Sequence, residues 1–387
     1  MSAAELLAWL ALVAWTYLML LHGRFWLAGE REELDLPPVR ETRDWPRAAA
    51  VIPARNEADM IPKALASLME QDYPGEFSIV LVDDQSSDGT AEAALELARR
   101  STRKIEVAPG APLPSTWTGK VWAMHQGIAI ASTAQPPPQY LLLTDADIGY
   151  EPGVLKSLVA RATSEQRVLT SVMAKLKCKS LAERALVPAF IFFFQMLYPF
   201  EWVNRRAAAT AAAAGGCMLV ERAALERAGG IGAIRGALID DCALAKIMKA
   251  QGPVWLGLSQ RVSSLRSYAT IDEIRRMVAR SAYAQLRYSP LLLIGTVLGM
   301  GLLYLAPPVV AVFASYPANA LAAMTYLLMV TAYQPTLRLY NRSPLWGFAL
   351  PLIAAGYLGF TLDSAYQHSR GRGGLWKGRV QAEAGKR

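Results

Sequence analysis

The chain has 387 residues, 53% of them hydrophobic and 19% charged, with a formal net charge of +8. That is too apolar for an ordinary soluble domain and too long for a single structural region. Its basic residues gather beside apolar runs, which points to a lipid surface and excludes a nucleic-acid footprint; Cys178, Cys217 and Cys242, odd in number and without C-x-x-C spacing, exclude a disulfide framework and a zinc site.

Leu6 to Leu21 is one nearly uncharged run, close to the roughly 20 residues needed to cross hydrocarbon as a helix. It lacks a basic start and a small-x-small cleavage site, and Trp9 and Trp15 suit an anchor, so residues 1–24 read as an uncleaved transmembrane anchor. Residues 25–46, with Arg31, Arg40 and Arg43, form a charged, proline-containing juxtamembrane linker.

The period then changes. Ala48 to Ile52 is a short apolar strand expected to stop at Pro53, and Pro62 fits the first turn of a helix over Ala58 to Glu70. Phe77 to Val82 is a second strand ending in Asp83-Asp84, and Ser87-Asp88-Gly89 offers a turn and cap for a helix over Thr90 to Arg100. Lys104 to Val107 is a candidate third strand, Lys120 to Ala131 a helix, and Tyr140 to Thr144 a buried strand that ends abruptly in Asp145-Ala-Asp147. This alternation predicts an α/β domain with a doubly wound, mostly parallel sheet over 47–288.

Later apolar stretches are of a different kind. Leu186 to Val203 is aromatic, with Phe190, Phe192, Phe193 and Phe194, and within 183–206 reads as an interfacial segment or, alternatively, as plain core. It cannot span alone, because Asp145 and Asp241 would then lie in different compartments. Pro290 to Ala314, Ala318 to Thr336 and Pro344 to Leu362 are candidate spans within 289–364. A basic tail over 365–387 follows, with Arg370, Arg372, Lys377, Arg379, Lys386 and Arg387. Three full crossings would put that tail outside, whereas its charge favours inside, so one of the three segments must be re-entrant or interfacial; Pro307-Pro308 and Pro351 mark where a helix can break.

Three polar stretches follow strands of the sheet: Pro53-Ala-Arg-Asn-Glu57, Asp83-Asp84 and Asp145-Ala-Asp147. All are carboxyl ends, so they converge on one crevice. Two hard carboxylates two residues apart share a side if the extended backbone continues through Ala146, and suit Mg²⁺ or Mn²⁺ bridging a diphosphate; solvated acids at a strand end are the plain alternative. There is no G-x-G-x-x-G after the first strand and no G-K-[ST], against a dinucleotide or P-loop enzyme.

Four motifs in order, Val51-Ile-Pro-Ala-Arg-Asn-Glu57, Leu81-Val-Asp-Asp-Gln-Ser-Ser-Asp-Gly-Thr90, Thr144-Asp-Ala-Asp147 and Ile239-Asp-Asp-Cys-Ala-Leu244, resemble the successive motifs of family 2 glycosyltransferases with the GT-A fold. The resemblance runs from about Ala48 to Tyr288. Trp117-Thr-Gly-Lys120, Gln285-Leu-Arg-Tyr288, Trp376-Lys-Gly-Arg379 and the N-terminal span are similar to the lipid-glycosylating branch, which includes ceramide glucosyltransferases and bacterial glycosyltransferases associated with hopanoid biosynthesis.

The resemblance implies that Pro53, Ala54, Arg55, Asn56 and Glu57 hold the uridine of a UDP-sugar, with Asp84 accepting from the uracil ring N–H. Arg55 and Glu57 could instead be a surface ion pair, and Asp83 a turn cap. Asp145 and Asp147 are the implied metal ligands, and Lys120 adds positive charge near the phosphates, unless it is merely solvated at a helix start. Asp241 is the implied general base with Asp240 as helper; two acids favoured at a helix N-terminus is the alternative. Asp240 stands where the family usually has Glu, a shorter reach. Ala214-Gly-Gly-Cys217 would line the acceptor side, and Gly229 to Gly236 reads as a flexible loop. Arg287 would contact diphosphate, while Gln285 departs from the usual Q-x-x-R-W distance, against processive synthesis. His125 reads as a helix residue with nothing paired to it.

The expected activity is inverting transfer of a sugar from a nucleotide donor to a membrane lipid acceptor, a hopanoid or polyisoprenoid alcohol foremost. The expected setting is a bacterial inner membrane, multi-pass, with the catalytic domain facing the cytoplasm and lipid-biosynthesis enzymes as further partners. The rival readings are a processive polysaccharide synthase and a non-catalytic lipid-binding scaffold on the same fold.

Overall fold

The apolar run Tyr140–Thr144 forms a strand in which every residue is buried, and a mixed sheet is built outward from it. In the computed structural model, which describes residues 1–34, 44–371, 374–376 and 379–380, the strands are β1 (Ala48–Ala54), β2 (Phe77–Asp83), β3 (Ile105–Pro109), β4 (Tyr140–Thr144), β5 (Ile148–Tyr150), β6 (Leu169–Lys175), β7 (Cys217–Glu221) and β8 (Val254–Ser264). Their order is β3-β2-β1-β4-β7-β6-β8-β5. β3, β2, β1 and β4 run parallel, as do β6 and β8, while β7 is antiparallel to both of its neighbours. The expected α/β, mostly parallel architecture is therefore present. Arg40 and Arg43 of the linker and Arg372, Lys377, Lys386 and Arg387 of the tail lie outside the described residues.

Two compact units divide the chain: residues 30–177 and 202–267 with the tail from Leu375, and residues 1–29, 178–201 and 268–374. Residues 178–201 and 268–288, which the sequence reading counted with the sheet domain, cluster with the helices.

In the sheet unit, β1 does not stop at Pro53 but continues through it. Pairing with β4 ends at Val51, so beyond that point β1 is bonded to β2 alone, and a residue without an N–H is tolerated there. The helix Gly119–Ala131 is seated on this part of the sheet by Gly127, where an added Cβ would stand 2.5 Å from Val51 and 3.2 Å from Val82. That close approach aims the N-terminus of the helix at the carboxyl edge. The first linker residues are docked: Glu32 N–H donates to Leu258 O at 2.8 Å, and the buried Glu32 carboxylate accepts from Arg261 Nε at 3.0 Å. The Gly229–Gly236 stretch is not a flexible loop; Ile231–Ile234 forms a tight 3-10 turn with Ile231 and Ile234 buried, because two apolar side chains three apart share one side of it.

The helical unit holds the apolar runs. Helix Ala3–Leu20 is opened by a reciprocal cap between Ser2 and Glu5. Leu181–Leu197 is opened in the same way by Ser180 and Glu183, whose carboxylate also accepts from Lys179 N–H and Tyr268 N–H, each at 2.8 Å. Two of its rings pack inward: Phe192 is fully buried, and Phe193 lies 5.6 Å from Tyr304 and 5.0 Å from Tyr357. The run after Pro290 is continuously helical to Phe313, with one widened turn over Gly301–Leu305 that lets Pro307-Pro308 begin the next segment instead of breaking it. Ala318–Leu339 and Leu350–Ser369 follow, the latter preceded by a 3-10 turn over Pro344–Ala349. Among the described residues three stretches are long and apolar enough to cross a membrane, Ala3–Leu20, Pro290–Phe313 and Pro344–Ser369, which suggests membrane association.

Candidate active site

The carboxyl edge of the sheet gathers eleven of the twelve residues singled out from the sequence. Beyond β1 and β2, the two loops tie to each other: Asn56 N–H donates to Ser86 Oγ at 2.9 Å, Ser87 N–H to Asn56 Oδ1 at 2.9 Å, and Glu57 N–H to Thr90 Oγ1 at 2.8 Å. Asn56 and Gln85 take left-handed backbone to make these turns, with φ of 50° and 56°. Arg55 donates to the Asp84 carbonyl and stands 3.7 Å from the buried Asp84 carboxylate. Arg55 thus has a partner in Asp84, across the two loops. Asp83 caps the turn, accepting from Ser86 N–H at 3.3 Å.

At the centre is Lys120, whose Nζ lies 2.8 Å from Asp145 Oδ1 and 3.1 Å from Asp240 Oδ2. Burial alone would lower its pKa, but Asp145 and Asp240 outweigh that and hold the ammonium charged. Asp240 and Asp241 open the helix Asp240–Gln251, so the expected helix-start position and the cluster with Lys120 both hold. Asp241 Oδ2 accepts from Gly215 N–H at 3.0 Å and Oδ1 from Cys242 N–H at 2.7 Å. Burial and the neighbouring Asp240 push its carboxyl up to about 6, against the opposing pull of Lys120. Gly215 leaves little room for a side chain: a Cβ there would be 3.2 Å from Lys120 Nζ and 3.3 Å from Asp241 Oδ2. Nearby, Gly216 O accepts from Thr144 Oγ1 at 2.9 Å and Tyr150 OH at 3.1 Å, so the Ala214–Cys217 stretch supports the acids from below.

Asp147 takes a separate partner. The backbone does not continue extended through Ala146 but turns, with Ile148 N–H reaching back to Asp145 O at 3.4 Å. β4 has ended there, and among the described residues no strand pairs with Ala146 to hold it extended. Asp147 Oδ2 consequently accepts from Arg266 Nε at 2.8 Å, and the same guanidinium bonds Glu57. Arg266, just past β8, was not picked out from the sequence; a lone arginine after a strand carries no spacing signal.

Five carboxylates, Glu57, Asp145, Asp147, Asp240 and Asp241, thus face two cations, Lys120 and Arg266. Burial and Asp147 raise the Asp145 carboxyl, and Lys120 opposes them. Among the described residues no three His, Cys, Asp or Glu side chains converge into a ready metal cage. Two carboxylates amid this negative excess nevertheless fit Mg²⁺ or Mn²⁺, which commonly take one or two protein carboxylates and complete their shell with phosphate oxygens and water.

Two sequence expectations change. His125 does have partners, for its ring lies 4.9 Å from Trp117 and stacks on Trp122 at 5.4 Å; positions 122 and 125 share a helix face, and Trp117 folds back onto it. Arg287, the twelfth residue, belongs to the helical unit, where it and Tyr288 take left-handed backbone with φ of 52° and 54° and the Tyr288 ring stacks on His368 at 4.3 Å.

Residues 49–229 match the model for Glycosyl transferase family 2. Over 133 residues the chain is 31% identical to 4,4'-diaponeurosporenoate glycosyltransferase of Staphylococcus haemolyticus, a match that covers 34% of this chain and 32% of that relative's length. The fold is similar to that of a mannosyltransferase from Pyrobaculum calidifontis solved in complex with GDP-Man and Mn²⁺, with a TM-score of 0.55 and 17% identity over 94% of this chain and 99% of that one. The likeness to the mannosyltransferase shows the fold, a mixed sheet of GT-A type, and the family match covers residues 49–229 of this chain.

Proposed function

We propose that this protein is a membrane-bound, metal-dependent, inverting glycosyltransferase that moves one sugar from a nucleoside diphosphate sugar, UDP-linked, onto the hydroxyl of a membrane lipid, with hopanoid or polyisoprenoid alcohols foremost. One observation carries the reading: a single lysine, Lys120, bridges Asp145 on the donor side to Asp240 beside Asp241 on the acceptor side. Donor and base are thereby held across one charge.

Pro53 to Glu57 and Asp84 hold the nucleoside, and the Arg55–Asp84 pair fixes the edge that a ring N–H would meet. Asp145 and Asp147 hold Mg²⁺ or Mn²⁺, which when bound offsets charge collecting on the leaving diphosphate. Asp241 takes the proton of the acceptor hydroxyl. The oxygen so freed bonds to the anomeric carbon from the face opposite the diphosphate, and the carbon–oxygen bond to the diphosphate breaks with both electrons leaving on the nucleotide. A carboxyl raised to about 6 suits this role, ionised at neutral pH yet basic enough to accept a proton. Arg287 is a proposed diphosphate contact on the resemblance alone.

For the acceptor, support comes from the apolar helices and from the partial likeness to the Staphylococcus relative, which is named for 4,4'-diaponeurosporenoate. The setting we propose is a bacterial inner membrane with the catalytic residues on the cytoplasmic side, a reading supported by the basic residues beside the apolar runs. Purified protein in detergent, given a panel of UDP- and GDP-sugars with Mn²⁺, should release nucleotide from one donor, faster with a membrane lipid extract. Release that lipid does not stimulate, with a growing sugar polymer as product, would establish the processive synthase; no Mn²⁺-dependent nucleotide binding would establish the scaffold.

A further inference from the structure

Ring and hydrogen-bond contacts grade the helical unit from one end to the other. At the first end Ala8 clusters with Val310, Ala318 and Ala322. At mid-depth Trp15 Nε1 donates to Leu303 O at 2.8 Å, and its ring meets Tyr304 edge-on at 5.6 Å. At the second end Phe25 lies 5.4 Å from Phe192, which lies 5.2 Å from Tyr333. Ala3–Leu20 and Ala318–Leu339 therefore run the same way through the unit, and Pro290–Phe313 runs against them, reaching the first end at Val310.

The last segment does not repeat this traverse. After Leu339 the chain folds back onto the helix it has just left: Gln334 Nε2 donates to Pro344 O at 3.2 Å, a Cβ added at Gly347 would stand 2.8 Å from Val330, and Tyr326 OH donates to Phe348 O at 2.7 Å. The turn Pro344–Ala349 thus descends from the level of Gln334 to that of Tyr326, about 12 Å at 1.5 Å per residue, and stops short of the first end. Helix Leu350–Ser369 then climbs back. Tyr357 OH donates to Leu186 O at 2.8 Å, Ser364 Oγ donates to Ala279 O at 2.5 Å and accepts from Tyr283 N–H at 3.0 Å, and His368 stacks on Tyr288. Residues 279–288 immediately precede Pro290, so they mark the second end.

We propose that residues 344–369 form a re-entrant hairpin that enters and leaves one leaflet from the same side, and that the less apolar helix Ala318–Leu339 is the third crossing of the membrane; this rests on the membrane-bound reading above. The 22-residue helix Ala318–Leu339 spans about 33 Å, enough for a hydrocarbon core of about 30 Å. It needs no greasy surface, because Thr325, Tyr333 and Thr336 are buried by its neighbours. The hairpin is apolar for the opposite reason: Leu345 and Leu352 are 73% and 78% exposed and face acyl chains of that leaflet. Its irregular turn is tolerated at depth because Gln334 and Tyr326 satisfy the carbonyls of Pro344 and Phe348. Charge agrees with this topology. The connection at 314–317, Ala-Ser-Tyr-Pro, is uncharged, whereas Arg338, Arg342 and Arg370 lie at the second end, the positive side of the membrane. Three crossings and one re-entrant hairpin return the basic tail to that side, and the conflict posed by three full C-terminal spans disappears.

Single added cysteines in the full chain test this, with a membrane-impermeant maleimide applied to intact spheroplasts and again after lysis, and the unaltered chain as control. Ser315→Cys should label in intact spheroplasts, whereas Asn341→Cys and Ser369→Cys should label only after lysis. Labelling of Ser369→Cys from outside would make the last segment a full span and overturn the hairpin. Labelling of Asn341→Cys from outside, or protection of Ser315→Cys in a chain that resists alkaline carbonate, would remove Ala318–Leu339 as a crossing. Release of the chain by carbonate would instead defeat the membrane reading.

Discussion

The two units store polar groups in opposite ways. In the sheet unit charge is concentrated at one edge, where Lys120 and Arg266 hold acids that burial would otherwise expel. In the helical unit polar groups are dispersed along the helices, and several meet a single backbone carbonyl, as with Trp15 on Leu303 O, Tyr357 on Leu186 O and Tyr326 on Phe348 O. A concentrated cluster supplies field and proton traffic at the cost of stability; a dispersed set fixes helices in an apolar surrounding without creating a reactive point. Chemistry therefore belongs to the first unit and topology to the second.

The sharpest break in that comparison is Asp241→Asn. It keeps shape but removes the proposed base, and its amide nitrogen can no longer accept one of the two backbone N–H bonds that Gly215 and Cys242 donate; kcat should fall by about 10³-fold, within the range typical of general bases, while donor binding holds. Turnover within tenfold of the unaltered enzyme would move the base elsewhere. Lys120→Met should come next, leaving Asp145, Asp240 and Asp241 without their shared cation. A loss of about 3–5 kcal/mol is expected on breaking one side of a buried pair, read as a lowered melting temperature along with lost turnover. A matching mutation in the dispersed set, Tyr326→Phe, removes one hydrogen bond and should cost only about 1 kcal/mol. Equal effects of the two would erase the distinction between the units.

Gly215→Ala is milder. Its new Cβ crowds Lys120 and Asp241, so kcat should drop about tenfold, the 1.4 kcal/mol that a modest displacement costs, with Mn²⁺ affinity retained. Smallest is the pH effect. With the Asp241 carboxyl at about 6, kcat/KM should fall about tenfold per unit below pH 6 as the base is protonated. The sign for stability is opposite: the folded chain keeps a proton that the unfolded chain releases between 3.8 and about 6, so this group alone favours the fold more at pH 5 than at pH 7. An acid limb whose midpoint stays unchanged in Asp241→Glu, or a flat profile between pH 5 and 7 in the unaltered enzyme, would assign the base to another group.

Much of the site was legible in the chain because its signals are short. A strand that ends in acid puts that acid at the carboxyl edge whatever the rest of the fold does, so Asp84, Asp145 and the Asp240-Asp241 pair could be placed from β2, β4 and a helix start. Legibility failed where a partner came from far along the chain. Arg266 lies 119 residues from Asp147, and no local rule joins an arginine after β8 to acids after β1 and β4. The turn at Ala146 was missed for a related reason, since strand propensity does not report where the pairing neighbour ends.

By itself the sequence determined the α/β alternation, the apolar runs and the acids at strand ends, because those follow from periodicities of two and 3.6 residues and from what backbone ends require. Tertiary structure alone decided that Lys120 spans the two acid pairs, that Arg266 holds Asp147, that the Phe192 and Phe193 rings pack inward, and that the run after Pro344 turns back against Ala318–Leu339. Hydropathy measures how apolar a segment is, not the depth at which its neighbours hold it, and depth is set by contacts between residues distant in the chain.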